Sequence, residues 1–166
     1  LDSIESKKIK WKVFHWLSKY TTRKADYTIV TNEALKELVD KWDGNGVVLQ
    51  DKIPDINKTQ KSPRMNDCFN VMCVTTFSSD EPIMDIVYAA KSFDSSIHFH
   101  ITGRFDRYPL IDELKQIKPS NVTLTGFVSD SEYVELLNTV DVVLVLTTEE
   151  DLLTCGSYEA VAVEKP

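Results

Sequence analysis

From residue 67 onward, short and nearly unbroken apolar runs take turns with stretches whose apolar positions return every three or four residues. The runs at 68–75 (CFNVMCVT), 96–103 (SIHFHITG), 121–127 (NVTLTGF) and 141–148 (DVVLVLTT) read as strands, since β-branched runs of this length suit a pleated, buried ribbon. Between them, 81–93 and 108–117 read as helices, with Pro82 near the first turn of the earlier one. A third helix runs through Leu137, where Ser129 and Glu132 form a capping box. A last helix is expected near Gly156. Strand and helix alternate four times, which predicts a parallel sheet with helices on both faces, because right-handed crossovers place them there. The fold class expected is α/β, Rossmann-like.

The first 52 residues follow a different plan. ADYTIVTN (25–32) reads as a strand ending at Thr31 or Asn32, either of which can cap a helix through EALKELVDKW. Gly44-Asn45-Gly46 ends that helix and VVLQ is a short strand. On a helix over residues 7–20, turning about 100° per residue, Ile9, Val13, Trp16, Leu17 and Tyr20 share a stripe expected to pack against protein. Trp11 and Phe14 fall on the opposite side, among lysines. Those two aromatics suit either protein outside this chain or a lipid headgroup boundary. Residues 51–67 are polar, carry Pro54 and Pro63 and have no period. The expected organisation is therefore 1–52, a linker at 53–66, and a main domain at 67–166.

The net charge of −7 is unevenly spread. Residues 1–24 hold seven Lys and Arg against Asp2 and Glu5, so the remainder is more acidic than the total suggests. Such a body is a poor nucleic-acid surface, and no nucleic-acid partner is expected. No apolar run approaches the ~20 residues of a membrane span, and the start LDSIESKKIK lacks a signal-peptide pattern. Cys68, Cys73 and Cys155 match no disulfide or zinc spacing. A cytoplasmic protein is expected, with a peripheral contact on the membrane's cytoplasmic face through residues 7–20 left open. Asn57-Lys58-Thr59 and Asn121-Val122-Thr123 read as incidental glycosylation tripeptides. His98 and His100 share one strand face, but no third ligand accompanies them, so no metal site is expected.

In open parallel sheets, ligands sit beyond the carboxyl ends of the strands. That directs attention to the loops at 76–80, 104–107, 127–129 and 148–156. In the last of these, Thr154-Cys155-Gly156-Ser157 leaves a buried strand and opens a helix. Its first amides have no helical partner, and a glycine there lets a phosphate approach them. An ordinary strand-to-helix turn has the same look. Glu159, one turn in, adds a carboxylate able to accept from paired ribose hydroxyls, and Asp151 adds another ahead of the helix.

Asp151-x7-Glu159, with Gly156 between them and EAVAVEKP following, resembles the acidic-x7-Glu motif of retaining GT-B glycosyltransferases of group 1, the family 4-like enzymes that use nucleotide-diphosphate sugars. NVTLTGFVSDSEYVELLNTVDVVLVLTT is similar to the segment before that motif, and ADYTIVTNEALKEL resembles the end of the family's N-terminal domain. The resemblance implies a GT-B half, truncated after Pro166, with residues 1–52 as the tail of an acceptor domain. It implies Glu159 on the ribose and Asp151 near the sugar, together the catalytic pair. It also implies the backbone of Leu152, Leu153, Thr154, Cys155, Gly156 and Ser157 at the diphosphate, and Gly126, Phe127 and Val128 beside the base. The donor would be a nucleotide-diphosphate sugar, the acceptor a saccharide or a lipid-linked saccharide, with no cofactor or essential metal. The chain departs from the family in having Asp151 where Glu is usual, and in the loop TTFSSDEP, which lacks the family's Arg and Lys. Arg104, with Arg107, follows the second strand and could reach in instead. The isolated chain is expected to be inactive. A GT-B-like accessory module that has lost donor chemistry is the alternative. A flavodoxin-like receiver is disfavoured, because NVTLTGF ends without a phosphate-accepting Asp.

Overall fold

The computed structural model describes residues 9–56, 67–150 and 152–166, and the side chains from Trp11 onward. Most of the expected linker, and Asp151, lie outside the described residues. The chain divides into two compact units at Lys52/Ile53.

In the first unit, α1 (Ile9–Lys24) precedes β1 (Thr28–Val30), α2 (Glu33–Lys41) and β2 (Gly46–Val48). β1 and β2 pair in parallel, Thr28 opposite Gly46 and Val30 opposite Val48. Asn32 caps α2 by accepting from Leu35 N–H at 2.8 Å, which decides between the two capping residues expected. At the other end of α2, Asp43 takes φ 58° and Gly44 donates its N–H to Val39 O at 3.0 Å. A Cβ at Gly44 would collide with Thr22 Cγ2, so only glycine lets α1 approach here.

The apolar stripe of α1 is not the face that packs. Val13, Trp16, Leu17 and Tyr20 are each about half exposed or more, and Trp16 stacks on Tyr20 at 5.8 Å. The helix instead meets its unit through His15, edge-on to Trp42 at 4.9 Å, through Thr22 at Gly44, and through Arg23. Arg23 donates to Trp42 O at 2.9 Å and pairs with Asp43. Polar groups on α1 reach the carbonyl and carboxylate that close α2, while the apolar stripe stays half exposed among the described residues.

The second unit runs β3 (Phe69–Cys73), α3 (Ile83–Ala90), β4 (Ile97–Thr102), α4 (Ile111–Ile117), β5 (Val122–Gly126), α5 (Asp130–Thr139), β6 (Val142–Leu144) and α6 (Cys155–Ala162). Its four strands form a parallel sheet in the order β5-β4-β3-β6. Period-two alternation along β3 divides the core. Val71 and Cys73 join Ile83, Val87, Ile101 and Leu114 on one face, while Met72 joins Leu137, Val140, Val143 and Ala160 on the other. α3 and α4 therefore cover one face, and α5 and α6 the opposite one. The capping box of α5 is present, with Ser129 and Glu132 bonded reciprocally. β6 is shorter than the apolar run suggested. Asp141 extends its pairing with β3 by side chain and backbone, its carboxylate accepting from Asn70 N–H at 2.8 Å and its N–H donating to Asn70 O at 2.9 Å.

The chain steps from β3 to β4 to β5 in one direction, then crosses back to place β6 on the other edge of β3. The winding therefore reverses between β3 and β6. Where β3 and β4 end, Gly103 has φ 117°, and a Cβ there would overlap Thr75 O. Gly103→Ala is expected to cost about 2 kcal/mol or more of stability, read as a shift in urea midpoint.

Two histidines share the α5/α6 face of β4. His100 Nε2 lies 3.0 Å from Asn70 Oδ1 and His98 Nε2 lies 2.8 Å from Thr123 Oγ1. Burial, then the neighbouring His98, lowers the His100 pKa from 6.5 to about 4, and burial, then Lys118, lowers that of His98. Because the folded value is depressed, the unfolded chain binds protons first. The stability that neutral His100 contributes is complete above about pH 6.5 and is lost as pH falls toward about 4. Urea unfolding across that window should show a loss on the order of 1–2 kcal/mol, smaller in His100→Gln.

Candidate functional site

A cavity of about 340 Å³ opens at the carboxyl ends of β3, β4 and β5, the size of a small-ligand pocket. Its floor is Val74, Thr75 and Thr76 after β3, with Thr102, Gly103 and Arg104 at the end of β4. Phe127 and Val128 after β5, and Asp130 and Tyr133 from the first turn of α5, form the other wall. The threonines are held in place. Thr75 Oγ1 donates to Thr102 O at 2.5 Å and Thr102 Oγ1 donates to Cys73 O at 3.2 Å, so the floor is knitted to the strand ends. Arg104 lies 5.0 Å over the Phe127 ring, and Phe127 is 73% exposed. Among the described lining residues, Arg104 is the one cation and Asp130 the one carboxylate.

The start of α6 stands next to this cavity without lining it. Gly156 is buried where a Cβ would come within 3.0 Å of Val74 Cγ1 and 3.2 Å of Val145 Cγ2. The helix begins between the ends of β3 and β6, where the winding reverses, with Val74 common to both places. Thr154, the N-cap, makes no side-chain capping bond. Its hydroxyl is buried with no hydrogen-bond partner among the described residues. The first turn is closed by Ser157 N–H on Thr154 O at 3.1 Å. Leu152 and Leu153 just before it are exposed.

Glu159 is half-buried and bonded to the cavity wall rather than forming part of it. Tyr133 Oη donates to Glu159 Oε2 at 2.5 Å. Burial, then the bond to Glu159 and its charge, push the Tyr133 phenol well above its ordinary value, so it stays a donor.

The β3–α3 loop, TTFSSDEP, is organised by its own acids. The Glu81 carboxylate accepts from Thr76 N–H at 2.9 and 3.0 Å, from Ser78 N–H at 3.0 Å and from Thr76 Oγ1 at 3.1 Å. Asp80 accepts from Ser78 Oγ and, at 3.0 Å, from Thr147 Oγ1, while Thr148 N–H donates to Asp80 O at 2.7 Å. The Ser78 hydroxyl, followed by its other hydrogen bonds, holds Asp80 below the usual carboxylate range. This loop is thereby tied to the one after β6.

Of the residues singled out from sequence, Arg104, Phe127 and Val128 meet at the cavity, and Gly126, just before Phe127, has φ 75°. Thr154, Cys155, Gly156, Ser157 and Glu159 assemble on α6 beside it, and Asp151 lies outside the described residues. Sequence reading missed Thr75, Thr76, Thr102, Asp130 and Tyr133. The threonines could have been found from their places at strand ends. Tyr133 carries no local signal, since its partner is 26 residues away. Among the described residues, no group of three or more His, Cys, Asp or Glu could hold a metal ion, and no helix is long and apolar enough to cross a membrane.

No protein-family model matches the chain, and no curated protein matches it. Solved structures do. TarM aligns with a TM-score of 0.70 over 95% of this chain at 16% identity. A point mutant of S. aureus TarM in complex with Fondaparinux, alpha-GlcNAc-glycerol and UDP gives 0.69 over 95% at 16% identity. The pneumococcal O-GlcNAc transferase GtfA in complex with UDP and GlcNAc gives 0.65 over 90% at 18% identity. The fold is that of a GT-B half. The chain spans 31% of the length of each of these structures.

Within this GT-B half, the Glu81 carboxylate caps the Thr76 and Ser78 amides of the β3–α3 loop. Glu81→Ala is expected to cost about 1–2 kcal/mol and to speed hydrogen exchange at the Thr76 and Ser78 amides. Unchanged protection at both would show that Glu81 does not hold the loop.

Proposed function

We propose that this chain is the donor-binding part of a glycosyltransferase, one that moves a sugar from a nucleotide diphosphate to a saccharide or lipid-linked saccharide with retention. The observation that carries the reading is the fold likeness to UDP-bound TarM and GtfA, combined with a pocket at the strand ends that has the α6 start and Glu159 beside it. In this reading the first amides of α6 meet the diphosphate, aided by the helix dipole and without an essential metal. The Thr154 hydroxyl, unpartnered among the described residues, is a further donor beside them. Glu159 accepts from the ribose, Asp151 acts near the sugar, and the base lies by Gly126, Phe127 and Val128, with Arg104 at the cavity wall. The setting is the cytoplasm. The exposed Phe14 and the part-buried Trp11 of α1, on the lysine side of the helix, suit a peripheral membrane contact.

A second reading is a GT-B module that has lost donor chemistry. The β3–α3 loop favours it specifically, because two carboxylates and no base occupy a position that would neighbour a diphosphate. Calorimetry with UDP, GDP and ADP, free and sugar-linked, separates the two. The first reading expects one nucleotide to bind with a Kd between about 1 µM and 1 mM, weakened about tenfold in Glu159→Gln. Absence of binding by all of them supports the second.

A further inference from the structure

Two half-buried groups from different helices meet behind the pocket wall, and nothing in the sequence pairs them. Tyr133 sits in the first turn of α5, on the cavity. Glu159 sits in the second turn of α6, and α5 and α6 are the two helices that pack on the same sheet face. The hydrogen bond between them, at 2.5 Å, joins the cavity wall to the carboxylate expected to hold a ribose. We infer that Tyr133 is a positioning residue for ribose recognition: its phenol fixes the Glu159 carboxylate through Oε2, leaving Oε1 to accept from the nucleotide's 2′ and 3′ hydroxyls. This inference rests on the donor-binding reading and adds to it the group that orients the acceptor.

The chemistry supports a holding role over a competing one. A carboxylate has about four acceptor sites, so one phenol bond leaves enough for a vicinal diol. A free glutamate has about three rotatable bonds to order before both hydroxyls can be met, and ordering a long side chain opposes binding. A donor fixed in the α5 turn removes much of that cost beforehand. Tyr133 suits the task because its ring packs against the apolar cluster of Met72, Leu136 and Val143 while its hydroxyl reaches across to α6. The capping box at Ser129 and Glu132 holds the same turn in place.

The test uses the whole chain and compares each of UDP, GDP and ADP with its 2′,3′-dideoxy counterpart by calorimetry. In the wild type, the nucleotide that binds best should exceed its dideoxy form by about tenfold, the worth of a hydrogen bond to a charged group. Tyr133→Phe removes a single oxygen and should shrink that ratio to about threefold or less, with the dideoxy affinity unchanged. Unchanged dideoxy binding also reports an intact fold. Glu159→Gln should lower the ratio too, and Tyr133→Phe placed on top of it should change nothing more, because the phenol acts through the carboxylate. A Tyr133→Phe ratio as large as that of the wild type overturns the inference while the donor-binding reading stands. Tighter ribonucleotide binding in Tyr133→Phe also overturns it, by marking the phenol as a competitor. If the wild type binds none of the three nucleotides, the donor-binding reading fails and this inference fails with it.

Discussion

Burial of β3 on both faces is the constraint from which the rest of the second unit follows. A strand in the interior of a parallel sheet must satisfy its backbone on two sides and its side chains on two more. β3 does so with β4 and β6 as neighbours and with alternate residues committed to opposite cores. That commitment fixes where four helices lie. It also sets where the chain can leave the sheet, and the residues just past its end, Val74 through Thr76, are the floor of the cavity. Scaffold and pocket are therefore one structural decision rather than two.

Around that floor the electrostatics are divided. On the β6 side, α6 presents the positive end of a helix, with a buried hydroxyl at its cap that has no partner among the described residues. On the β4 side, Arg104 supplies a cation spread over an aromatic ring. Between them the β3–α3 loop turns its amides toward its own glutamate. An anion bound here would thus be held from two flanks, with a negative strip between. Such an arrangement would differ from one in which a basic pair neutralises the charge from the centre, and would place most of the burden on backbone donors.

The sheet was legible in the sequence because its strands are short, β-branched and separated by helical periods, and local pattern is enough to separate those two periods. The capping box at Ser129 was legible for the same local reason. For α1 the helix was legible but its seating was not, because the contacts that hold it are the edge of His15 on Trp42 and the polar bonds of Arg23 to the end of α2 rather than its apolar stripe. The length of β6 was overestimated because Val145 and Leu146 continue the apolar run past the last ladder pair at Leu144. At the site, the motif on α6 and the acids within the β3–α3 loop could be seen, whereas the tie from Asp80 to Thr147 and the phenol beside Glu159 depend on three-dimensional proximity that no spacing encodes.

The polar group buried between β3 and β4 has a consequence of its own. Sliding one strand past the other by two residues would preserve which side chains face which core, so apolar packing alone discriminates weakly among such alignments. Asn70 and His100 are polar groups on the α5/α6 face of these strands. In the native alignment Asn70 stands opposite His98, its Oδ1 lies 3.0 Å from His100 Nε2 and its Nδ2 donates to Cys68 O at 2.9 Å. A two-residue slip would break this geometry and require it to be remade, so the contact favours the native alignment, at the cost of sensitivity to acid.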